Sequence, residues 1–211
     1  MNYYELSMLD DVIDSTAQTA EQAERLNRIA CSPKWFVTAA HSAAQGAMSC
    51  YLNQGNGIAS WRERDAKAWL KAHDEQRADE TLNREYPEVR LNYFMELYAD
   101  VKRTAKANHD ESLTVVLTEE VDHWIGALNQ LRNSFIHFQA NHHLVSKEHV
   151  ICVVQSAATT VKALSDSQSF PWWWSDEAEH SRSLLKEHLQ KLDSALSNLA
   201  AAEAHTKSSG H

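Results

Sequence analysis

The chain has 211 residues, of which 43% are hydrophobic and 23% charged, with only 5 Gly and 3 Pro. This length suits one large domain or one domain with a long appendage, and the scarcity of turn-forming residues excludes an all-β sandwich or barrel and low-complexity chains. The 20 basic and 29 acidic residues give a formal net charge of -9, which excludes a protein that coats nucleic acid through a broad basic surface.

Three sequence features predict where the protein works. The cysteines, Cys31, Cys50 and Cys152, are scattered and form no Cys-x-x-Cys pair, which indicates free thiols in a reducing compartment. Residues 1–14 are acidic and lack the basic and apolar regions of a signal peptide. No uninterrupted apolar run approaches the length of a membrane-spanning helix. We therefore expect a cytoplasmic protein with no membrane contact.

The first two helices are predicted from apolar residues at helical spacing. The first is expected over Tyr3–Ala30. The second has Ser32 as its N-cap and Pro33 at its first helical position, the arrangement that helix starts favour. Because this second helix is apolar on most sides, we expect it to lie centrally. It stops at the breaker Asn-Gln-Gly-Asn-Gly, residues 53–57.

Two more helices are expected in the middle of the chain. A polar third helix spans Ser60–Arg77, with Trp61 and Trp69 as its main apolar anchors. A fourth follows Pro87 and carries Leu91 in its apolar stripe. No strand is predicted here.

The fifth and sixth helices follow a loop over residues 108–117, which includes a short extended piece at 113–117. Thr118 caps the fifth helix, and acidic residues follow in its first turn. The loop-like residues 139–145 place the end of this helix near His137. Ser146 caps the sixth helix, which continues through Leu164.

Beyond the bundle of residues 1–165, the composition changes over residues 166–204. A polar connector leads to Trp172, Trp173 and Trp174, and a last amphipathic helix runs from Ser175 to about Ala204. The three rings either cover an end of the bundle or form a partner interface, where Trp is enriched. The helix is either an oligomerisation arm or folds back onto the bundle. Residues 205–211 are expected to be a disordered tail. The whole pattern predicts an all-α, up-and-down helical bundle with an additional C-terminal helix.

Arg132, Asn133 and His137 lie inside the otherwise apolar fifth helix. Burying Arg and His beside a core stripe is costly unless they are paired or solvated at a cleft, so they are candidate functional residues. Positions five apart lie about 140° apart on a straight helix. Arg132 and His137 therefore act together only if the helix bends or ends near His137, or if a two-fold axis joins two copies. The structural alternative is an Arg paired with a carboxylate and a His at a helix end.

This pattern resembles the signature of the HEPN superfamily, the higher-eukaryote and prokaryote nucleotide-binding helical domains: an Arg, a polar residue, and a His after four intervening positions. The resemblance covers Ser32 to Leu164. It implies metal-independent RNA cleavage in a bacterial toxin–antitoxin or phage-defence system. It also implies a homodimer in which motif residues of both subunits line one cleft, and an antitoxin or other protein as a partner. No cofactor and no metal are expected.

The same resemblance implies roles for individual residues. His137 transfers a proton as a ribose 2′-hydroxyl attacks the adjacent phosphate, Arg132 clamps that phosphate, and Asn133 is the positioning residue. His41 and Gln45, four residues apart on the second helix, are candidate substrate-binding residues opposite Arg132; the alternative is a His hydrogen-bonded within the core. In one toxin subfamily a Tyr follows the His by two positions and is modified by a nucleotidyltransferase antitoxin. This chain departs from that subfamily, with Gln139 there.

Two other interpretations remain open. The chain is alternatively a non-catalytic helical interaction module in which the motif is structural and the three Trp side chains bind a partner. The pairs Glu120/His123 and Glu177/His180 have the Glu-x-x-His spacing of di-iron bundles. Both pairs fall in the first turns of their helices rather than in mid-bundle, so they do not predict a metal site.

Overall fold

Helices make up nearly all the regular structure of the protein. The computed structural model describes residues 7–54, 57–79, 81–83, 85–110, 117–137 and 144–208. In chain order the helices are α1 (Met8–Arg28), α2 (Lys34–Leu52), α3 (Glu63–Ala78), α4 (Phe94–Ala107), α5 (Glu119–His137), α6 (Lys147–Asp166), a 3-10 helix (Trp172–Trp174) and α7 (Ala178–Ser208). Within these ranges there is no strand, which confirms the predicted all-α class.

Helices α1, α2, α6 and α7 form a closed four-helix arrangement, because α1 and α6 each pack against both α2 and α7. The last helix is therefore folded back onto the bundle, which decides between the two interpretations of its apolar stripe. Its leucines join the common hydrophobic core, and the Asn27 side chain of α1 donates a 3.0 Å hydrogen bond to the Ala195 carbonyl of α7. The α7 residues buried in that core are Leu185, Leu189, Leu192, Ala195 and Leu196.

Helix α2 is central, as its composition predicts. It contacts α1, α4, α5 and α6, and 13 of its 19 residues are buried. Gly46 allows α1 to come close, since a Cβ atom at this position would lie 2.8 Å from Cγ2 of Val12. Helix α5, which carries Arg132, and helix α4 are thus both packed against α2, the most buried helix.

Helix starts follow local capping chemistry, with small shifts from the predicted residues. Ser7 and Asp10 form a reciprocal capping box at the start of α1, whereas the predicted start at Tyr3 lies outside the described residues. The N-cap of α2 is Pro33, one residue later than predicted, and the Ser32 hydroxyl accepts a 3.3 Å hydrogen bond from the Lys34 amide. Ser146 caps α6 as predicted, accepting from the His149 amide at 3.1 Å.

The predicted start of the fourth helix is wrong, because residues 85–93 are not helical and α4 begins only at Phe94. Trp61 and Leu91 form an isolated antiparallel bridge. Beside it, the Arg62 amide donates to the Arg90 carbonyl at 3.0 Å and the Asn92 amide donates to the Ser60 carbonyl at 2.8 Å. These long-range bonds use backbone groups that helices at Ser60 and Leu91 would need, so α3 starts late at Glu63 and α4 starts late as well.

Helix α3 is peripheral, with only Asp65 and Ala72 buried. Helix α3 contributes little to the main hydrophobic core. Contacts between aromatic rings hold it beside residues 85–93. The ring centroid of Trp69 lies 5.8 Å from that of Trp61 and 5.0 Å from that of Tyr86. This small aromatic cluster fixes residues 61–62 and 86–93 relative to the start of α4.

The ends of the other predicted segments are only partly described. Of the extended piece expected over residues 113–117, only the buried Leu117 falls within the described residues. Helix α7 begins at Ala178 rather than Ser175 and continues to Ser208, past the predicted end near Ala204. Residues 209–211, the remainder of the tail expected to be disordered, lie outside the described part. In the ranges given above, no helix has both the length and the apolarity required to cross a membrane.

Candidate functional site

Helix α5 places its motif between a buried stripe and the surface. Its buried residues face the bundle at helical spacing: Val121, Ile125, Leu128 and Leu131. Asn129, Arg132 and Asn133 flank this stripe and are half-buried. Asn129 and Arg132 are three positions apart and so neighbour each other on the helix surface. Helix α5 also packs against α2.

His41 of α2 meets this polar flank. Its Nε2 atom lies 3.3 Å from Oδ1 of Asn129, and because an amide oxygen only accepts, the imidazole donates this hydrogen bond. The other contact of the ring is aromatic: its centroid lies 4.0 Å from that of Phe94, with an interplanar angle of 23°. His41 is only 4% exposed. It thus connects α2, α4 and α5.

His41 is uncharged at neutral pH. Burial lowers its pKa from 6.5 to about 4; the hydrogen bond to Asn129 opposes that shift, and the nearby Arg132 cation adds to it. A neutral imidazole here can donate a hydrogen bond but offers no positive charge to an anion. Any attraction of this cluster for a phosphate must therefore come from Arg132.

Arg132 is half-buried, and within the described residues no carboxylate forms an ion pair with its guanidinium. Its Nη1 atom donates to Oδ1 of Asn133 at 3.1 Å. Its Nε atom is buried and has no hydrogen-bond partner among the residues that the structure describes. In the part of the chain that the structure describes, no ion pair joins Arg132 to Asp or Glu. Among those residues the structural alternative, an Arg paired with a carboxylate, is not found, and the group is suited to an external anion.

His137 stands apart from these residues. It is the last residue of α5 and its side chain is exposed. Among the described residues, none forms a hydrogen bond, ion pair or ring contact with this side chain. The turn of about 140° between positions 132 and 137 accounts for this separation. One chain therefore assembles His41, Asn129, Arg132 and Asn133, and leaves His137 on the surface.

Gln45 is half-buried one turn after His41, but it makes no hydrogen bond to the motif within the described ranges. Two residues of the cluster were not predicted. Asn129 could have been found, because it precedes Arg132 by three positions on the same helix. Phe94 could not, because the helix that begins with it was predicted to begin earlier.

The three consecutive tryptophans have different environments. The Trp172 ring is buried, its Nε1 donates to the Ser165 carbonyl at 3.1 Å, and the Arg182 guanidinium lies 5.5 Å from its centroid. Trp173 and Trp174 are 59% and 39% exposed. Trp172 thus covers an end of the bundle, while the other two rings remain available to a partner.

Comparison with known proteins adds no assignment: no family model, no curated protein and no solved structure matches the chain. The pairs Glu120/His123 and Glu177/His180 do not combine with other ligands, since the described residues contain no group of three or more His, Cys, Asp or Glu side chains placed to hold a metal ion. The candidate site therefore rests on the cluster around Arg132.

Proposed function

We propose that the protein is a HEPN-like, metal-independent endoribonuclease of a bacterial toxin–antitoxin or phage-defence system. The observation that carries the proposal is the guanidinium of Arg132, half-buried, with a buried Nε atom that has no partner and no carboxylate beside it in the described residues. A cation held in this state is stabilised by a ligand that supplies negative charge and several acceptor oxygens, as a phosphate does.

The residues around Arg132 fit phosphate chemistry. The guanidinium fork can donate two parallel hydrogen bonds to a phosphorane as a 2′-hydroxyl attacks. Asn133 accepts from Nη1 of Arg132 and so orients the fork, which makes Asn133 a positioning residue. His137 is accessible at the end of α5 and is the residue we assign to proton transfer. His41 and Asn129 fix the facing helix, and Gln45 lies one turn further along it.

The proposal includes a homodimer. Because Arg132 and His137 lie on different sides of α5, a complete site needs a second copy that brings the two groups together. In this arrangement Arg132 of one subunit and His137 of the partner subunit act on the same phosphate. Two-fold symmetry would produce two such sites, because each subunit supplies Arg132 to one site and His137 to the other.

The first test is cleavage of total RNA by the purified protein in EDTA. We expect wild type to cleave and to leave 2′,3′-cyclic phosphate ends, and His137→Ala to lose cleavage while remaining folded. His123→Ala is the matched control, since His123 is another exposed histidine of α5 and should cleave like wild type. A folded wild type that leaves RNA intact would overturn the proposed activity.

The composite site has its own test. Arg132→Gln and His137→Ala are each expected to be inactive as homodimers. Unfolding and refolding them together should restore part of the cleavage, because a mixed dimer contains one site with both native residues. Sedimentation of the wild type should give the mass of a dimer. A sedimenting monomer that cleaves RNA would show that one chain suffices.

The exposed rings of Trp173 and Trp174 favour a second candidate function, a non-catalytic interaction module, because Trp is typical of interface hot spots. It predicts no RNA cleavage by wild type and loss of partner binding in Trp173→Ala. The two functions are also compatible, if these rings bind an antitoxin.

A further inference from the structure

An exposed aromatic ring precedes α4, the helix whose first residue, Phe94, stacks on His41. Tyr93, the N-cap residue of α4, is 61% exposed. The guanidinium carbon of Arg62 lies 4.3 Å from the centroid of its ring. Arg62 thus covers one face of the ring, and the rest of the ring remains open to solvent.

The position of Arg62 is determined by the backbone around it. Its Nε donates to the Leu91 carbonyl at 3.3 Å, and its amide donates to the Arg90 carbonyl at 3.0 Å. The Trp61–Leu91 bridge and the aromatic cluster of α3 hold both segments. Across the described ranges, no ion pair joins Arg62 to a carboxylate. Its charge, like that of Arg132, is therefore available to a ligand.

Two side-chain contacts and two short steps along the chain connect this pair to the proposed catalytic cluster. Tyr93 is followed directly by Phe94, whose ring stacks on His41. His41 is hydrogen-bonded to Asn129, one turn before Arg132 on α5. The pair of Arg62 and Tyr93 is therefore connected to Arg132 through Phe94, His41 and Asn129.

We propose that Tyr93 and Arg62 form a nucleobase-stacking subsite, which holds an unpaired base of single-stranded RNA close to the phosphate bound by Arg132. The inference rests on the proposed function. An exposed aromatic ring beside an Arg is the usual way in which proteins bind single strands without reading their sequence, because every base has a flat face that can stack. Bases within a duplex are stacked and paired, so this subsite selects single-stranded segments.

The net charge of -9 fits this mode of binding. A protein that binds through many phosphate contacts loses affinity steeply as salt rises. Here two guanidinium groups and a ring account for the recognition. Binding should therefore depend weakly on salt and strongly on the ring of Tyr93.

The test is fluorescence anisotropy of a short, labelled oligodeoxyadenylate with the full-length wild-type chain in EDTA. This probe lacks the attacking 2′-hydroxyl, so it binds without being cleaved. We expect Tyr93→Ala to weaken binding about tenfold, the effect typical of losing one base stack. Tyr93→Phe keeps the ring and should bind like wild type. Arg62→Gln should weaken binding in the same direction.

Trp35 provides the matched control. It is another exposed ring beside a cation, with Nζ of Lys34 5.1 Å from its centroid, but it points about 120° away from His41 around α2. Trp35→Ala should leave binding unchanged. Circular dichroism should show that all four variants are folded.

The outcomes separate this inference from the proposed function. RNA cleavage by wild type together with unchanged oligonucleotide binding in Tyr93→Ala would overturn the stacking subsite and leave the nuclease standing. Binding that depends on Tyr93 without any RNA cleavage would support the subsite and overturn the nuclease. A wild type that neither binds nor cleaves would overturn both. Loss of binding in Tyr93→Phe as well would exclude stacking as the cause.

Discussion

The imidazole of His41 stacks on the phenyl ring of Phe94, with ring centroids 4.0 Å apart and planes inclined by 23°. This contact joins the most buried helix, α2, to the first residue of α4. It also encloses the imidazole, and that burial is the main reason why the pKa of His41 falls to about 4. The neutral ring is therefore part of the packing among α2, α4 and α5.

The first prediction concerns acid stability. Because the pKa of His41 is about 4 in the folded chain against 6.5 as its ordinary value, the unfolded state binds more protons between these values. The stabilisation that the buried neutral imidazole contributes is complete above its ordinary pKa of 6.5. It is lost as the pH falls towards the folded-state pKa of about 4. From neutral pH to about pH 5, wild type should lose about 2 kcal/mol more unfolding free energy than His41→Gln. Urea denaturation at both pH values measures this.

If His41→Gln and wild type lost stability in parallel, the imidazole of His41 would not be buried in its neutral form.

The second prediction compares two helical glycines. A Cβ atom at Gly46 would lie 2.8 Å from Cγ2 of Val12 and 3.4 Å from Oδ2 of Asp11, whereas nothing lies within 4 Å of one at Gly126. Gly46→Ala should destabilise the protein by about 1–3 kcal/mol through overpacking. Gly126→Ala should stabilise it by up to about 1 kcal/mol through helix propensity. Denaturation midpoints that shift in the same direction for both variants would contradict the close approach of α1 and α2.

The third prediction separates two neighbouring tryptophans. Trp172→Ala removes a buried ring and its hydrogen bond to the Ser165 carbonyl, and it should cost about 3–5 kcal/mol of unfolding free energy. Trp173→Ala removes an exposed ring and should change stability by less than about 0.5 kcal/mol. Equal losses in the two variants, measured by urea denaturation, would show that Trp172 is not the residue that covers the end of the bundle.

Local signals predicted the helices well, because caps and apolar spacing act within a few residues. Ser146 and the buried stripe of α5 are examples. Local signals do not predict the start of α4. It is displaced by backbone hydrogen bonds between residues 60–62 and 90–92, which are about thirty positions apart in the sequence. Pro87 predicts a helix start nearby, but the Arg90 carbonyl and the Asn92 amide are bonded to Arg62 and Ser60 instead.

The candidate site shows the same division. Helical geometry correctly indicated that Arg132 and His137 do not share a face, and this required only the number of residues between them. The contacts of His41 with Phe94 and Asn129 depend on how three helices pack. Residue spacing within one helix does not predict such packing. Within the described residues no carboxylate pairs with Arg132, and this too depends on how the helices pack against each other.

The last prediction asks whether Arg132 serves stability or function. Its Nε atom is buried and has no partner in the described part of the chain, so replacing Arg132 by an uncharged residue of similar length removes an unsatisfied group. Arg132→Met should leave the unfolding free energy unchanged or raise it by up to about 1 kcal/mol. The same variant should lose RNA cleavage. Because the Arg132 cation lowers the pKa of His41, that pKa should rise in Arg132→Met, as measured by NMR titration of the imidazole.

Arg132→Lys completes the comparison. It keeps the positive charge but lacks the planar fork that binds two phosphate oxygens, so it should keep the low pKa of His41 and still cleave RNA poorly. A structural Arg in a buried ion pair would behave differently, because its removal leaves the partner charge buried and costs about 3–5 kcal/mol. A stability loss of that size in Arg132→Met, with cleavage retained, would therefore assign Arg132 to the packing of the bundle and remove it from the site.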